Sequence, residues 1–245
     1  TATSRPSVSL TLLGSDALGG KGFNADVFAF HGYAYVGTWG EGGLCPATGV
    51  RIVDLSDPSQ PRTVGAVAAM PGTTQEKVIV RQIATAAFSG DLLAVGIQRC
   101  SAAGRGGVAL YDVTDPLHPV SLSFFATGPV RGVHELDLAQ QGSRALALLA
   151  VPQSEQSTGV GDFRILDVSD PRNPVQTAAW GAGAALGVDL KGGIGCERQV
   201  FDHSARASAD GARAYLSYWG AGVIILDIRD PAAPKVLGRI QYGPD

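Results

Sequence analysis

The side chains best suited to chemistry are few: the histidines His31, His118, His134 and His203, and the cysteines Cys45, Cys100 and Cys196. Two of the histidines stand beside an acid, as His134-Glu135 and Asp202-His203. Imidazole nitrogens with carboxylates suit zinc, manganese or iron, and a metal-bound water would serve a metal-assisted hydrolase. No H-E-x-x-H spacing supports this, however, and the two histidines are far apart in sequence. The other reading is that both rings hydrogen-bond backbone or ordered water. A metal ion at His134 and His203 is the one cofactor the sequence suggests. His31 and His118 fall in turns and carry no chemistry in this reading.

Cys45 and Cys100 occupy equivalent loops of neighbouring repeats. They read either as a disulfide, which needs Cα atoms within about 7 Å, or as two buried thiols. A disulfide implies an oxidising compartment. Cys196 lies in the glycine-rich stretch 181–199, ahead of His203, without the context of an activated nucleophile. The glycines there lack a following Gly-Lys-Ser/Thr and a strand-loop-helix setting, so they are no phosphate loop. Residues 183–199 read as a rim loop, where function concentrates. Trp39 and Trp219 close equivalent strands, and read as packing between repeats or as a stacking surface for a sugar or peptide.

A repeat positions these residues. RIVDLSDPSQP (51–61), ALYDVTDPLHP (109–119), RILDVSDPRNP (164–174) and IILDIRDPAAP (224–234) share one pattern, and their first aspartates, Asp54, Asp112, Asp167 and Asp227, lie 58, 55 and 60 residues apart. Such a period decides the architecture. Around each copy, short apolar runs alternate with Gly, Asp-Pro and Pro signals, and no helical period competes. Four-stranded antiparallel units repeated at this length predict an all-β chain, a β-propeller of four complete blades at about 23–68, 79–126, 132–181 and 200–241 within one domain, 1–245. We letter the strands of each blade A to D from the axis outward. The apolar run is strand C, and Asp-Pro makes the C-to-D turn, with the Asp carboxylate accepting turn amides. The second Pro opens strand D, where a missing N–H faces solvent. Residues 5–14 resemble a further, orphan strand D, so we expect an incomplete ring, part of a longer propeller.

Aligning the B strands places Phe23, Arg81, His134 and His203 at the entry of strand A, with Glu135 and Asp202 beside them. Strand A lines the channel, so Arg81, His134, Glu135, Asp202, His203, Trp39 and Trp219 are the candidate ligand-binding residues at the funnel mouth.

On RIVDLSDP, ALYDVTDP, RILDVSDP and IILDIRDP with their trailing prolines, the chain resembles the LVIVD-repeat family over about residues 5–241. The resemblance implies a propeller of bacterial, often exported, proteins; it implies no catalytic residue and no reaction. Tyr111 departs from the aliphatic pattern, at no cost on a sheet surface.

Composition removes other classes. The 245 residues are 45% hydrophobic and 17% charged, with Gly 33 and Pro 14, which suits a folded, turn-rich β protein. A net charge of -3 with no basic cluster argues against a nucleic-acid partner. No apolar run is long enough for a transmembrane helix. Residues 1–10 lack the pattern of a signal peptide, which fits a cytosolic protein or the mature part of an exported one; the resemblance favours an extracytoplasmic place. The sequence thus reads first as a binding or scaffold module that presents its loop face to a protein, glycan or small ligand. The alternatives are a metal-assisted hydrolase with a funnel site, and a purely structural repeat of a larger surface protein.

Overall fold

The computed structural model describes residues 9–20, 23–40, 45, 47–192 and 198–241. Blade one is β1 (Phe23–Phe30), β2 (Tyr33–Trp39), β3 (Val50–Asp54) and β4 (Arg62–Val67). Blade two holds β5 (Thr73–Thr74), β6 (Val78–Ala84), β7 (Ser89–Arg99), β8 (Gly107–Asp112) and β9 (Val120–Ala126). Blade three is β10 (Glu135–Gln141), β11 (Arg144–Ala150), β12 (Phe163–Asp167) and β13 (Val175–Trp180). Blade four is β14 (Phe201–Ala207), β15 (Arg213–Trp219), β16 (Gly222–Asp227) and β17 (Lys235–Ile240). Two single-turn helices, α1 (Ser154–Thr158) and α2 (Ala182–Leu186), follow β11 and β13. Each blade is an antiparallel meander; in blade two the inner strand is split, so that β5 and β6 both pair with β7.

The repeated motif builds the same turn each time. Asp54, Asp112, Asp167 and Asp227 each accept a hydrogen bond from the amide two residues on, at 2.8–3.0 Å. The second aspartates, Asp57, Asp115, Asp170 and Asp230, do the same at 2.9–3.1 Å. Side-chain hydrogen bonds from Ser59, His118 and Asn173, and then these amide bonds, hold the Asp57, Asp115 and Asp170 carboxyls below their ordinary range; the Ser56 amide does so first at Asp54, and Asp227 is lowered to about 2, chiefly by its hydrogen bonds to Arg229. Beyond the turn, each outer strand carries one extra residue opposite strand C: Val64, Leu122, Thr177 and Leu237. A bulge at one place in every blade adds the local twist that a radial stack of sheets requires.

The core lies between blades. One layer joins Leu92 and Leu110 of blade two to Leu136 and Leu149 of blade three; another joins Leu148 and Ile165 of blade three to Leu216 and Ile224 of blade four. Each such side chain, taken wholly out of water, contributes about 2 kcal/mol. Strand C is less uniformly apolar than its motif suggests, because Arg51 and Arg164 are buried there. Arg51 donates to Asn24 Oδ1 at 2.6 Å, and Arg164 to the Thr127 carbonyl at 2.8 Å and Ser154 Oγ at 2.7 Å.

The inner strands pack in succession, β1 on β6, β6 on β10 and β10 on β14; among the described residues no comparable packing returns from β14 to β1. The end faces of this arc are open, with Phe23 and Val27 exposed on blade one and Tyr215 and Trp219 on blade four. Residues 9–14 depart from the expected orphan strand D: they form no strand, and Leu10, Leu12 and Leu13 are exposed. Residues 5–8 of that expectation lie outside the described ones. A strand without a neighbour leaves its backbone groups unpaired, and this segment is tied to blade one by other means. Asp16 accepts from the Thr63 amide at 2.6 Å, and Gly14 lies so close to the C-to-D turn that a Cβ there would be 2.6 Å from the Ser59 carbonyl oxygen.

Candidate functional site

A cavity of about 490 Å³ opens where the inner strands begin, and all four blades reach it, through Trp39, Gln98, His134 and Trp219 among others. His134 precedes β10 and is fixed by its amide, which donates to the Ala150 carbonyl at 3.0 Å. His203 sits at a bulge: Asp202 pairs with Tyr218 and Ser204 with Ser217, so His203 has no partner of its own across the ladder. Its ring lies flat on Trp219, with centroids 5.1 Å apart and planes 6° from parallel. Phe201, the residue opposite Trp219, supports the same indole at 5.0 Å.

The two histidines separated by 69 residues meet here. Their Nε2 atoms are 3.0 Å apart. On the far side of His134, Nδ1 is 3.0 Å from Glu76 Oε2 and 3.4 Å from Gln98 Oε1. A proton on Nδ1 directed at Gln98 Oε1 would leave the Nε2 turned toward His203 as a lone pair. Burial, and then the neighbouring His134, pull the His203 pKa below its ordinary value. Among the described residues, no group of three or more His, Cys, Asp or Glu side chains gathers to hold a metal.

Glu135, in the cavity wall, belongs to a chain of charges with one member from each blade. Asp26 pairs with Lys77 at 2.8 Å, Lys77 lies 3.7 Å from Glu135, and Glu135 pairs with Arg206 at 2.6 Å. The Glu135 carboxylate is therefore compensated where it stands.

Two of the expected residues do not line the cavity. Arg81 pairs with Leu92 within β6, several residues below the entry. Phe23 and Phe201 pair with Trp39 and Trp219, and the matching partner of Gln98 is Thr74. Blade two departs from the alignment because Gln75 breaks its inner strand to exchange two backbone hydrogen bonds, each 2.9 Å, with Thr38 of blade one. Asp202 is wholly buried, facing an acidic group behind the wall. There Asp162 accepts from the Glu155 amide at 2.8 Å and from the Asp202 amide at 3.2 Å, while Glu155 caps the first turn of α2 through the Gly183 and Ala184 amides at 3.1 and 2.6 Å. Desolvation raises the Asp162 pKa to about 6 and that of Asp202 well above the usual carboxylate range; with those carboxyls nearby, burial also pushes the Tyr218 phenol upward.

His134, Glu135, His203, Trp39 and Trp219 all line the cavity; Glu76 and Gln98 join them unforeseen. A signal for Gln98 was present, since it takes the place of Trp39 and Trp219 at the end of strand B. Glu76 gave none, because it sits in the break of the inner strand. Cys45 and Cys100 are joined in a disulfide with Cα atoms 5.8 Å apart, linking blades one and two above the cavity side. Cys196 lies outside the described residues.

The family model for the LVIVD repeat matches residues 21–69 and 205–241. No curated protein matches the chain. Among solved structures, a luciferin-regenerating enzyme is 11% identical, with 91% of this chain and 62% of that one covered and a TM-score of 0.50. An exo-β-1,3-galactanase from Phanerochaete chrysosporium, solved with β-1,3-galactotriose, is 10% identical, with 90% and 50% covered and a TM-score of 0.50. The chain thus spans between half and two thirds of the length of these neighbours, and the likeness is one of fold. The chain is a β-propeller protein that carries LVIVD repeats in its first and fourth blades.

Proposed function

We propose that the chain is a binding module whose funnel cavity takes a glycan, and that it works outside the cytoplasm. The observation that carries this reading is the Trp219 indole, 44% exposed and braced by His203 and Phe201, at the edge of the 490 Å³ cavity. An exposed, braced ring is a platform for the apolar face of a sugar, and Gln153, Gln199 and Arg131 of the same cavity wall supply planar hydrogen-bonding groups. The Cys45–Cys100 bond supports an oxidising compartment. LVIVD repeats and the propeller architecture fit such a module and point to no reaction.

The test is calorimetric titration with β-1,3-galacto-oligosaccharides, followed by a broad glycan panel. Binding that falls about 10-fold in Trp219→Ala, the loss of one stacking contact, supports the reading. No binder at millimolar concentration, or an unchanged affinity in Trp219→Ala, overturns it.

A further inference from the structure

We infer that His134 and His203 form a two-histidine site for a divalent transition-metal ion, open to water or ligand on the cavity side. This inference is independent of glycan binding.

Geometry carries it. Two imidazole nitrogens bound to one tetrahedral zinc, each at about 2.05 Å, stand about 3.3 Å apart; His134 Nε2 and His203 Nε2 are 3.0 Å apart. The two nitrogens that would bind a metal thus already stand close to the separation a shared ion requires. Histidine ligands are typically oriented through their other nitrogen by a hydrogen-bonded partner, and His134 Nδ1 has one in Gln98 Oε1 at 3.4 Å, with the Glu76 carboxylate 3.0 Å away. The His203 ring is held by its stacking on Trp219. Of the cations near the cavity, Lys77 is paired with Asp26 and Arg206 with Glu135, Arg131 lines the same wall, and Glu76 contributes negative charge beside the pair. With no third His, Cys, Asp or Glu gathered there among the described residues, the remaining positions fall to water or to a ligand in the cavity, the open arrangement that metal sites with exchangeable ligands share. The competing account is a pair of rings sharing one proton, with no affinity for metal.

Metal-free protein titrated with ZnCl2 in a calorimeter, with no glycan present, separates the two. We expect one saturable site per chain, lost in His134→Gln and in His203→Phe; the phenyl ring keeps the stack on Trp219 while removing the donor atom. Glu76→Gln, which alters only the support of His134, weakens binding about 10-fold. His118→Gln, in an exposed turn, leaves it unchanged. Thermal melts of each variant establish that it is folded. No saturable zinc binding by the wild type, or binding that survives in a folded His134→Gln/His203→Phe double variant, overturns the inference.

Discussion

The buried acid Asp162 makes stability depend on pH in a calculable way. Its side chain accepts two backbone hydrogen bonds, from Glu155 and Asp202, yet desolvation outweighs them and raises its pKa from the ordinary 3.8 to about 6. The fold thus prefers the protonated acid. Below pH 3.8 folded and unfolded chains both carry the proton, and its full stabilisation is present. As the pH climbs from 3.8 to about 6 the unfolded chain releases its proton first and stability falls, by about 3 kcal/mol in all. Asp162→Asn does not titrate. Its amide oxygen still serves the Glu155 N–H, but its NH2 faces the Asp202 N–H, a loss of about 1 kcal/mol. The variant should then be about 0.5 kcal/mol less stable than the wild type at pH 4 and about 2 kcal/mol more stable at pH 7. Urea unfolding of both proteins across this range gives the difference curve. Carboxylates lowered in the C-to-D turns act below pH 4, and His203, whose depressed pKa destabilises the fold as pH falls below 6.5, acts alike in both proteins; their effects drop out of the difference, whereas Asp202, raised by burial and then by Asp162, loses part of that rise in the variant and widens the gap toward pH 7. A difference that stays flat between pH 4 and 7, or slopes the other way, would refute the assignment of a raised pKa to Asp162.

Two further predictions concern how the blades are joined. The Cys45–Cys100 bond closes a loop with a sequence separation of 55, so its removal in Cys45→Ser/Cys100→Ser costs about 4 kcal/mol on the chain-entropy account; urea midpoints of wild type and variant measure this, and equal midpoints contradict it. Gly132, at φ +122 in the bridge to Gln98, leaves no room for a Cβ, which would lie 2.1 Å from the Ile97 carbonyl oxygen. Gly132→Ala costs about 3 kcal/mol, whereas Gly128→Ala, also at positive φ but facing open space, costs about 1 kcal/mol; calorimetric melting that ranks them equally or in reverse contradicts the close approach.

The blades were legible in the sequence because their signals are local. An Asp two residues before its amide partner, a Pro that sets φ and an apolar run for strand C all act within a dozen residues. The cavity was legible where its residues stand at regular places, as His134, Glu135, Trp39 and Trp219 do. Glu76 escaped because blade two's inner strand leaves its own sheet to pair with Thr38, a choice made by tertiary contact. The acid group escaped because Glu155, Asp162 and Asp202 come from α1, the loop after it and β14, with no shared spacing. The two helices are one turn each, too short for a periodic signal, and the strand expected at 5–14 from its likeness to residues 235–240 is no strand over its described part, 9–14.

The chain of charges from Asp26 through Lys77 and Glu135 to Arg206 has a mechanical side. Glu135 is both part of the cavity surface and the middle link of a tie that runs through every blade. A guest that claims a Glu135 oxygen draws it away from Lys77 and Arg206, and so slackens the hold of blade two and blade four on each other. Filling the funnel is thereby coupled to the electrostatic ties between neighbouring blades.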